Sequence, residues 1–119
     1  MAVKLFDSEL KVMGVLWKNG DTTAKQISDI LLDEIEWNMN TTYTVIRKCI
    51  AKGAIERLEP NFLCRALITK EQVQQYETDE LIDKVFDGSE NRLFAALLDR
   101  KKLSAAQIEH LKQIVGDLE

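Results

Sequence analysis

The hydrophobic period of this chain changes at Gly53, and that change constrains the fold more than any other sequence feature. Before Gly53, apolar residues recur at the three- and four-residue spacing of amphipathic helices. After it, "AIERL" and "FLCRALI" are β-prone runs, and "EPN" between them supplies Pro60 and Asn61 for a tight turn. Gly53 itself suits the left-handed conformation that ends many helices. The pattern predicts helices up to Gly53 and a β-hairpin directly after it.

Three helices are predicted upstream of this hairpin. The first, in "DSELKVMGVLWKNG", can be capped by Asp7 or Ser8, and the second, in "TTAKQISDILLDEI", by Thr22 or Thr23. Three helices followed by a hairpin is the element order of a winged helix-turn-helix, which we place at residues 1–69. The chain is therefore expected to be mainly α with a small β-hairpin.

The third predicted helix, from about Asn40 to Lys52, has two faces of different chemistry. At about 100° per residue, the face that must pack on the core carries Thr42, Val45, Ile46, Cys49 and Ile50. The opposite face carries Asn40, Tyr43, Thr44, Arg47, Lys48 and Ala51, with Thr41 at its margin. Threonine and asparagine can bond to base edges or phosphates, and arginine can bond two acceptors on guanine. This second face therefore suits the floor of a DNA major groove.

The net charge of −4 conceals an uneven distribution. Residues 1–68 hold nine Lys or Arg and nine Asp or Glu, so they are neutral overall, whereas residues 69–119 hold seven basic and eleven acidic residues. Within the first range, residues 40–65 hold five basic and two acidic residues, a local excess of positive charge. Arg57 and Arg65 lie on the predicted hairpin, where a wing would reach backbone phosphates. Two alternatives stay open: a solvated helix face with a chance excess of cations, and a winged helix that serves as a protein-interaction module.

Residues 70–119 are predicted to be helical. Thr69 with Gln72, and Ser104 with Gln107, form capping boxes ahead of two helices, and "GSENRLFAALLDRKK" supplies another helix between them. A segment of about 50 residues is near the lower limit for independent folding, so it cannot bury all its apolar side chains well alone. We therefore predict a helical dimerisation domain and a homodimer. The apolar residues assigned to dimerisation are Leu93, Phe94, Leu97, Ile108, Leu111 and Val115.

The sequence also argues against several other classes of protein. No run approaches the ~18 apolar residues of a membrane span, and "MAVKLFDSEL" does not read as a signal peptide, so a cytoplasmic protein without membrane insertion is expected. No phosphate loop, metalloprotease motif or nucleophile elbow occurs, so we expect neither enzymatic activity nor a cofactor. Cys49 and Cys64 are interpreted as reduced and structural, and His110 as a solvated helix residue, so no metal site is expected.

Four stretches of the chain carry a family resemblance: "DSELKVMGVLW", "TTAKQISDIL", "EWNMNTTYTVIRKCIAKGAI" and "LDRKKLSAAQIEHLKQIV". Through them the chain resembles the bacterial penicillinase-repressor family (BlaI/MecI/CopY), which regulates β-lactamase, methicillin-resistance and copper-transport operons. The resemblance implies a dimeric, sequence-specific transcriptional repressor. Its N-terminal winged helix would read a palindromic operator in double-stranded DNA, and its C-terminal helices would form the dimer.

The family's recognition-helix motif falls on residues 41–44, with Arg47 and Lys48 one turn further on. Because the helical projection turns Thr42 toward the core, we assign Thr42 a packing or capping role. Trp37, which matches the family's tryptophan before this helix, is assigned to packing. The residues predicted to contact DNA are Thr41, Tyr43, Thr44, Arg47, Lys48, Arg57 and Arg65.

The chain also departs from the family in its wing, which is shorter than usual and lacks the family's Gly-Arg and Tyr-x-Pro pattern, and in two further respects. The copper-responsive branch carries paired Cys-x-Cys motifs, whereas the final 55 residues here contain no cysteine, so a thiolate copper sensor is not expected. The β-lactam branch is released by cleavage at an Asn-Phe bond under a sensor protease, but Ala96 and Leu97 align there, and Asn61-Phe62 lies in the wing turn. An inactivating protease or sensor system is an implied partner. Another mode of release, cleavage at a different bond, and a repressor of a different operon such as one for metal homeostasis all stay open.

Overall fold

The structure is a computed structural model that describes residues 3–99 and 104–117, with side chains described in the last helix as far as residue 114. Its elements, in chain order, are α1 (Asp7–Asn19), β1 (Thr22–Thr23), α2 (Ala24–Ile35), α3 (Met39–Ala51), β2 (Ile55–Leu58), β3 (Leu63–Ala66), α4 (Lys70–Val85), α5 (Glu90–Leu98) and α6 (Ala105–Asp117). The fold is mainly helical with one small antiparallel sheet, which confirms the predicted class.

The cap of α1 differs from the prediction. Phe6, not Asp7 or Ser8, occupies the cap position, with an extended backbone. The Glu9 carboxylate reaches back and accepts a hydrogen bond from the Phe6 N–H at 2.7 Å. The prediction was wrong because a carboxylate three residues into a helix can satisfy the cap residue's N–H without a polar side chain at the cap itself.

The caps of α2 and α3 follow the expected chemistry. Thr23, one of the two predicted residues, caps α2, and its Oγ1 accepts from the Gln26 N–H at 3.2 Å. Asn38 caps α3, and its Oδ1 accepts from the Thr41 N–H at 2.8 Å. Helix α3 consequently begins at Met39, one residue earlier than predicted. Each cap satisfies an amide that the first helical turn leaves without an intrahelical partner.

The sheet has three strands in the order β1-β3-β2, and both pairings are antiparallel. The predicted hairpin is β2 and β3, with Ile55 opposite Ala66 at its base. Strand β1 was not predicted, because its two residues are too few to show the alternation by which a strand is recognised in sequence. In the sheet Thr22 lies opposite Cys64, so β1 ties the start of α2 to the wing.

The core lies between the first three helices and the sheet. Thr42 on α3 is fully buried, as its helical projection predicts, and Trp37 packs against this core while partly exposed. The Trp17 Nε1–H on α1 donates to the backbone oxygen of Ile68 at 3.0 Å, which fixes the chain just after the wing. The buried apolar residues are Leu5, Val12, Met13, Val15, Leu16, Ala24, Ile27, Leu31, Val45, Ile46, Cys49, Ala54, Ile55, Cys64 and Val73.

The chain forms two compact units, Met1–Glu77 and Thr78–Glu119, and the division falls within α4. The first unit contains the whole winged helix. Both predicted C-terminal capping boxes form: the Gln72 N–H bonds to the Thr69 hydroxyl at 3.0 Å, and the Gln107 N–H bonds to the Ser104 hydroxyl at 3.1 Å. Among the described residues, no helix is both long enough and apolar enough to cross a membrane.

Candidate nucleic-acid interface

Helix α3 presents the polar face that its sequence predicts. Thr41, Thr44, Arg47 and Lys48 are exposed on this face, and Tyr43 is half-buried beside them. We call these five residues the α3 face. Their side chains project from a helix whose opposite side is buried in the core, so packing fixes the position of the helix that carries them.

The cations of the α3 face have no acidic partner among the described residues. Neither Arg47 nor Lys48 lies within ion-pair distance of a carboxylate in that part of the chain. The Arg47 guanidinium carbon lies 6.0 Å from the centre of the Tyr43 ring, at the outer limit for a cation–π contact. Both cations can therefore bind an external anion without first losing an internal one.

The two arginines of the wing are placed differently. The Arg57 Nε donates to Glu59 Oε1 at 2.7 Å, and Arg65 donates from Nε and Nη2 to Asp21 Oδ2, each at 3.1 Å. All four side chains are substantially exposed. The two arginines predicted to contact phosphates are thus already paired with carboxylates. The sequence did not predict these ion pairs.

A further contact joins the wing to the α3 face through Phe62. Its ring meets the Tyr43 ring edge-on, with 5.8 Å between centroids, and the Arg57 guanidinium lies 3.7 Å from its centre on the wing side. The Phe62 backbone oxygen accepts from the Ala24 N–H at 2.9 Å, which holds the turn against α2. Sequence reasoning missed Phe62 as a site residue. An aromatic residue directly after a turn-forming asparagine was the available signal.

One cation counted in the local charge excess is directed away from the α3 face. The Lys52 Nζ lies 2.6 Å from Glu9 Oε1 and donates to the backbone oxygen of Lys4 at 2.8 Å. Glu9 is only 1% exposed, so this ion pair is largely removed from water. Lys52 therefore ties the end of α3 to the start of α1, and its ammonium group is already engaged by two protein oxygens.

The two cysteines are free, buried thiols. Burial raises the pKa of Cys49 to about 12 and that of Cys64 to about 11, from an ordinary value of 9.0. Both side chains are therefore neutral at physiological pH, whereas metal ligation and nucleophilic attack need the thiolate. Among the described residues, no three His, Cys, Asp or Glu side chains group so as to hold a metal ion, and His110 is exposed on α6.

The second unit has apolar side chains that its own helices do not bury. Leu93, Phe94 and Leu97 on α5, and Ile108 and Leu111 on α6, are half-buried, and no side chain described in residues 78–114 is fully buried. The side chain of Val115 lies outside the described residues. A mainly apolar groove of about 190 Å³ opens between α5 and α6, and it is lined by Asn91, Phe94, Leu98, Leu111 and Lys112.

A helix with a cationic face, carried on a three-helix core and followed by a two-stranded wing, defines the class of winged-helix proteins. A model of the family described as "Penicillinase repressor" matches residues 5–117. The chain belongs to this family, which confirms the resemblance found in the sequence.

Individual relatives agree with this assignment. The chain is 25% identical over 115 residues to a methicillin resistance regulatory protein, MecI, of Mammaliicoccus sciuri, and the match covers 95% of this chain and 94% of that protein. It is 24% identical over 116 residues to a penicillinase repressor of Bacillus licheniformis, with 96% and 91% covered. Among solved structures, the DNA-binding domain of the repressor BlaI is similar in fold, with a TM-score of 0.55, 24% identity, and 60% and 90% covered.

Proposed function

We propose that this protein is a DNA-binding transcriptional repressor that acts as a homodimer on a dyad operator. The observation that carries the proposal is the α3 face, which combines threonines, a tyrosine and two cations without an internal anionic partner among the described residues. Membership in the penicillinase repressor family supports the same conclusion. No catalytic role is proposed, and the proposed activity places the protein with the DNA in the cytoplasm.

In the proposed complex, α3 lies in the major groove. Arg47 can donate two hydrogen bonds to a guanine or to a phosphate, and Thr41 and Thr44 can bond to base edges or meet a thymine methyl group. Lys48 supplies a point charge to the backbone. The wing lies beside the groove, where Arg57 would reach phosphates.

The second unit is proposed to form the dimer. Leucine and phenylalanine side chains of this unit stay half-buried within one chain. A second copy that covers them would stabilise the dimer by about 25 cal/mol per Å² of apolar surface removed from water. Two-fold symmetry then presents two α3 helices roughly 34 Å apart on one side of the duplex. Such a dimer would match a palindromic operator and block the promoter that overlaps it.

The decisive experiment compares a charge reversal with a matched control. Arg47→Glu with Lys48→Glu reverses both cations of the α3 face, whereas Lys11→Glu with Lys18→Glu makes the same charge change on exposed positions of α1. Binding is measured by fluorescence anisotropy with the duplex upstream of the protein's own gene, against a scrambled duplex.

The parent and the α1 variant should prefer the upstream duplex by the ~10³-fold or more that is usual for operators. The α3 variant should lose this preference. If both variants lose DNA affinity equally, the loss is caused by the change in net charge and not by the position of the two cations on α3. If the parent has equal, weak affinity for both duplexes and for other promoter fragments, the winged helix serves as a protein-interaction module instead.

A further inference from the structure

The cations of the α3 face and those of the wing differ in whether they are paired with a carboxylate. The cations of the α3 face have no carboxylate within ion-pair distance among the described residues, whereas both wing arginines do. Within the wing, residues 55–66, Arg57 and Arg65 are matched by Glu56 and Glu59, and Glu56 lies directly opposite Arg65 in the strand register. With Asp21 added, the wing carries no net positive charge in the free protein.

We propose that Glu59 and Asp21 determine specificity by neutralising the wing arginines, an inference that rests on the proposed DNA-binding function. Phosphate contacts are the same on every sequence, so unpaired arginines on the wing would raise affinity for all duplexes alike. A carboxylate at 2.7 Å or 3.1 Å opposes that attraction. Only a duplex that also fits the α3 face gives enough binding energy to bring the wing close despite its carboxylates.

The geometry of Arg57 allows this exchange without moving the guanidinium group. Glu59 engages only Nε, so the two Nη groups keep donors for a phosphate. Phe62 lies 3.7 Å beneath the guanidinium and is itself held against Tyr43, so the arginine is fixed relative to α3. Both ion pairs are solvent-exposed, and pairs of this kind are weak enough for a phosphate to replace them.

The test removes both carboxylates while keeping the side-chain shapes. Asp21→Asn with Glu59→Gln is compared with the parent and with Asp87→Asn. Asp87 makes a similar exposed ion pair with Arg92, at 2.7 Å, but outside the winged helix. Asparagine also tolerates the positive φ of 52° at residue 87. Dissociation constants for the upstream and scrambled duplexes are measured over a series of salt concentrations, and thermal melting of each variant verifies folding.

The double variant should bind the scrambled duplex up to about fivefold more tightly for each carboxylate removed, the fold-change that corresponds to the upper range for exposed ion pairs. Its affinity for the upstream duplex should rise less, so the specificity ratio falls. The log-log salt slope should steepen by up to about 0.9 for each arginine released to a phosphate.

Two results would overturn the inference, and they differ. If the parent prefers the upstream duplex but the double variant behaves like Asp87→Asn on both duplexes, the carboxylates have no such role and the proposed function stands. If the parent shows no preference and the α3 charge reversal changes nothing, the proposed function fails and this inference fails with it.

Discussion

The ring of Phe62 in the wing turn meets the ring of Tyr43 on α3 edge-on, with 5.8 Å between their centroids. This contact joins two elements that are distant in sequence and that must act together on one duplex. Because the Arg57 guanidinium lies 3.7 Å from the centre of the Phe62 ring, a cation of the wing is connected to the recognition helix through this ring. The separation between the two parts of the proposed interface is thus set by aromatic packing.

Phe62→Ala should weaken operator binding while the protein stays folded. The substitution removes the support beneath Arg57 and frees the wing tip, while the half-buried ring contributes only part of a core residue's stability. Anisotropy should show a loss of affinity of several-fold, and urea unfolding a loss of about 1–2 kcal/mol. Phe62→Tyr keeps the ring and should retain most of the affinity. Equal weakening by both substitutions would contradict a positioning role.

Thr42→Val should leave the free energy of unfolding unchanged or raise it by up to about 1 kcal/mol. The Thr42 side chain is fully buried, and its Oγ1 has no hydrogen-bond partner among the described residues. Valine has nearly the same shape and removes the cost of an unsatisfied hydroxyl. Thr44→Val, on the exposed face of the same helix, should instead weaken DNA binding with little change in stability. A loss above about 1 kcal/mol for Thr42→Val would indicate a hydrogen bond to its hydroxyl.

Lys52→Met should destabilise the first unit by about 3 kcal/mol. It leaves the buried Glu9 carboxylate, otherwise paired at 2.6 Å, without its cation, and removing one partner of a buried pair costs far more than the pair contributes. Lys48→Met, at an exposed position one turn earlier on α3, is the matched control and should change stability by less than about 0.5 kcal/mol. Urea denaturation measures both, and similar values would contradict a structural role for the Lys52 ion pair.

Stability should fall as pH rises above about 9, and the cysteines should account for part of the fall. Burial raises the pKa of Cys49 from 9.0 to about 12, so the unfolded state loses this proton before the folded state does. A raised pKa therefore contributes stability that is complete below pH 9 and is lost between the two values. Each thiol can contribute at most about 1.4 kcal/mol per pH unit.

The comparison for this pH effect is the double variant Cys49→Ala with Cys64→Ala. Urea unfolding of the parent and the variant is measured from about pH 8, below the ordinary thiol pKa of 9.0, to about pH 10.5, below the raised pKa of Cys64. The variant should be less stable at pH 8 because its core has lost two side chains, but its stability should decline less steeply above pH 9. Parallel pH profiles for parent and variant would assign the whole decline to other groups.

Local features of the site were predictable, and contacts between distant residues were not. The two faces of α3 and the left-handed Gly53, with φ of 79°, follow from periodicity and residue type within one segment. The Arg65 pair with Asp21 joins residues 44 positions apart, and the Lys52 pair with Glu9 spans 43. No local pattern encodes such a partner, so counting charges treated Lys52 and Arg65 as available cations.

Dimer formation through the second unit is tested with Leu97→Asp. Leu97 is half-buried on α5, so an aspartate there would place a charge among the apolar side chains that a second copy is proposed to cover. In light scattering at micromolar concentration, the parent should have twice the 13.6 kDa mass of one chain, and Leu97→Asp should be a monomer. His110→Asp introduces the same residue at an exposed position of α6 and should remain dimeric.

The same variant separates dimerisation from DNA recognition. Because the α3 face is intact in Leu97→Asp, each monomer should still recognise a half-site, but it loses the second half-site that a dimer holds at the same time. Its affinity for the full operator should fall at least a hundredfold, while its affinity for an isolated half-site stays close to that of the parent. Circular dichroism and the melting temperature verify that the winged helix is folded. A parent protein that is monomeric at these concentrations, or a monomeric variant with undiminished operator affinity, would contradict the proposed dimer.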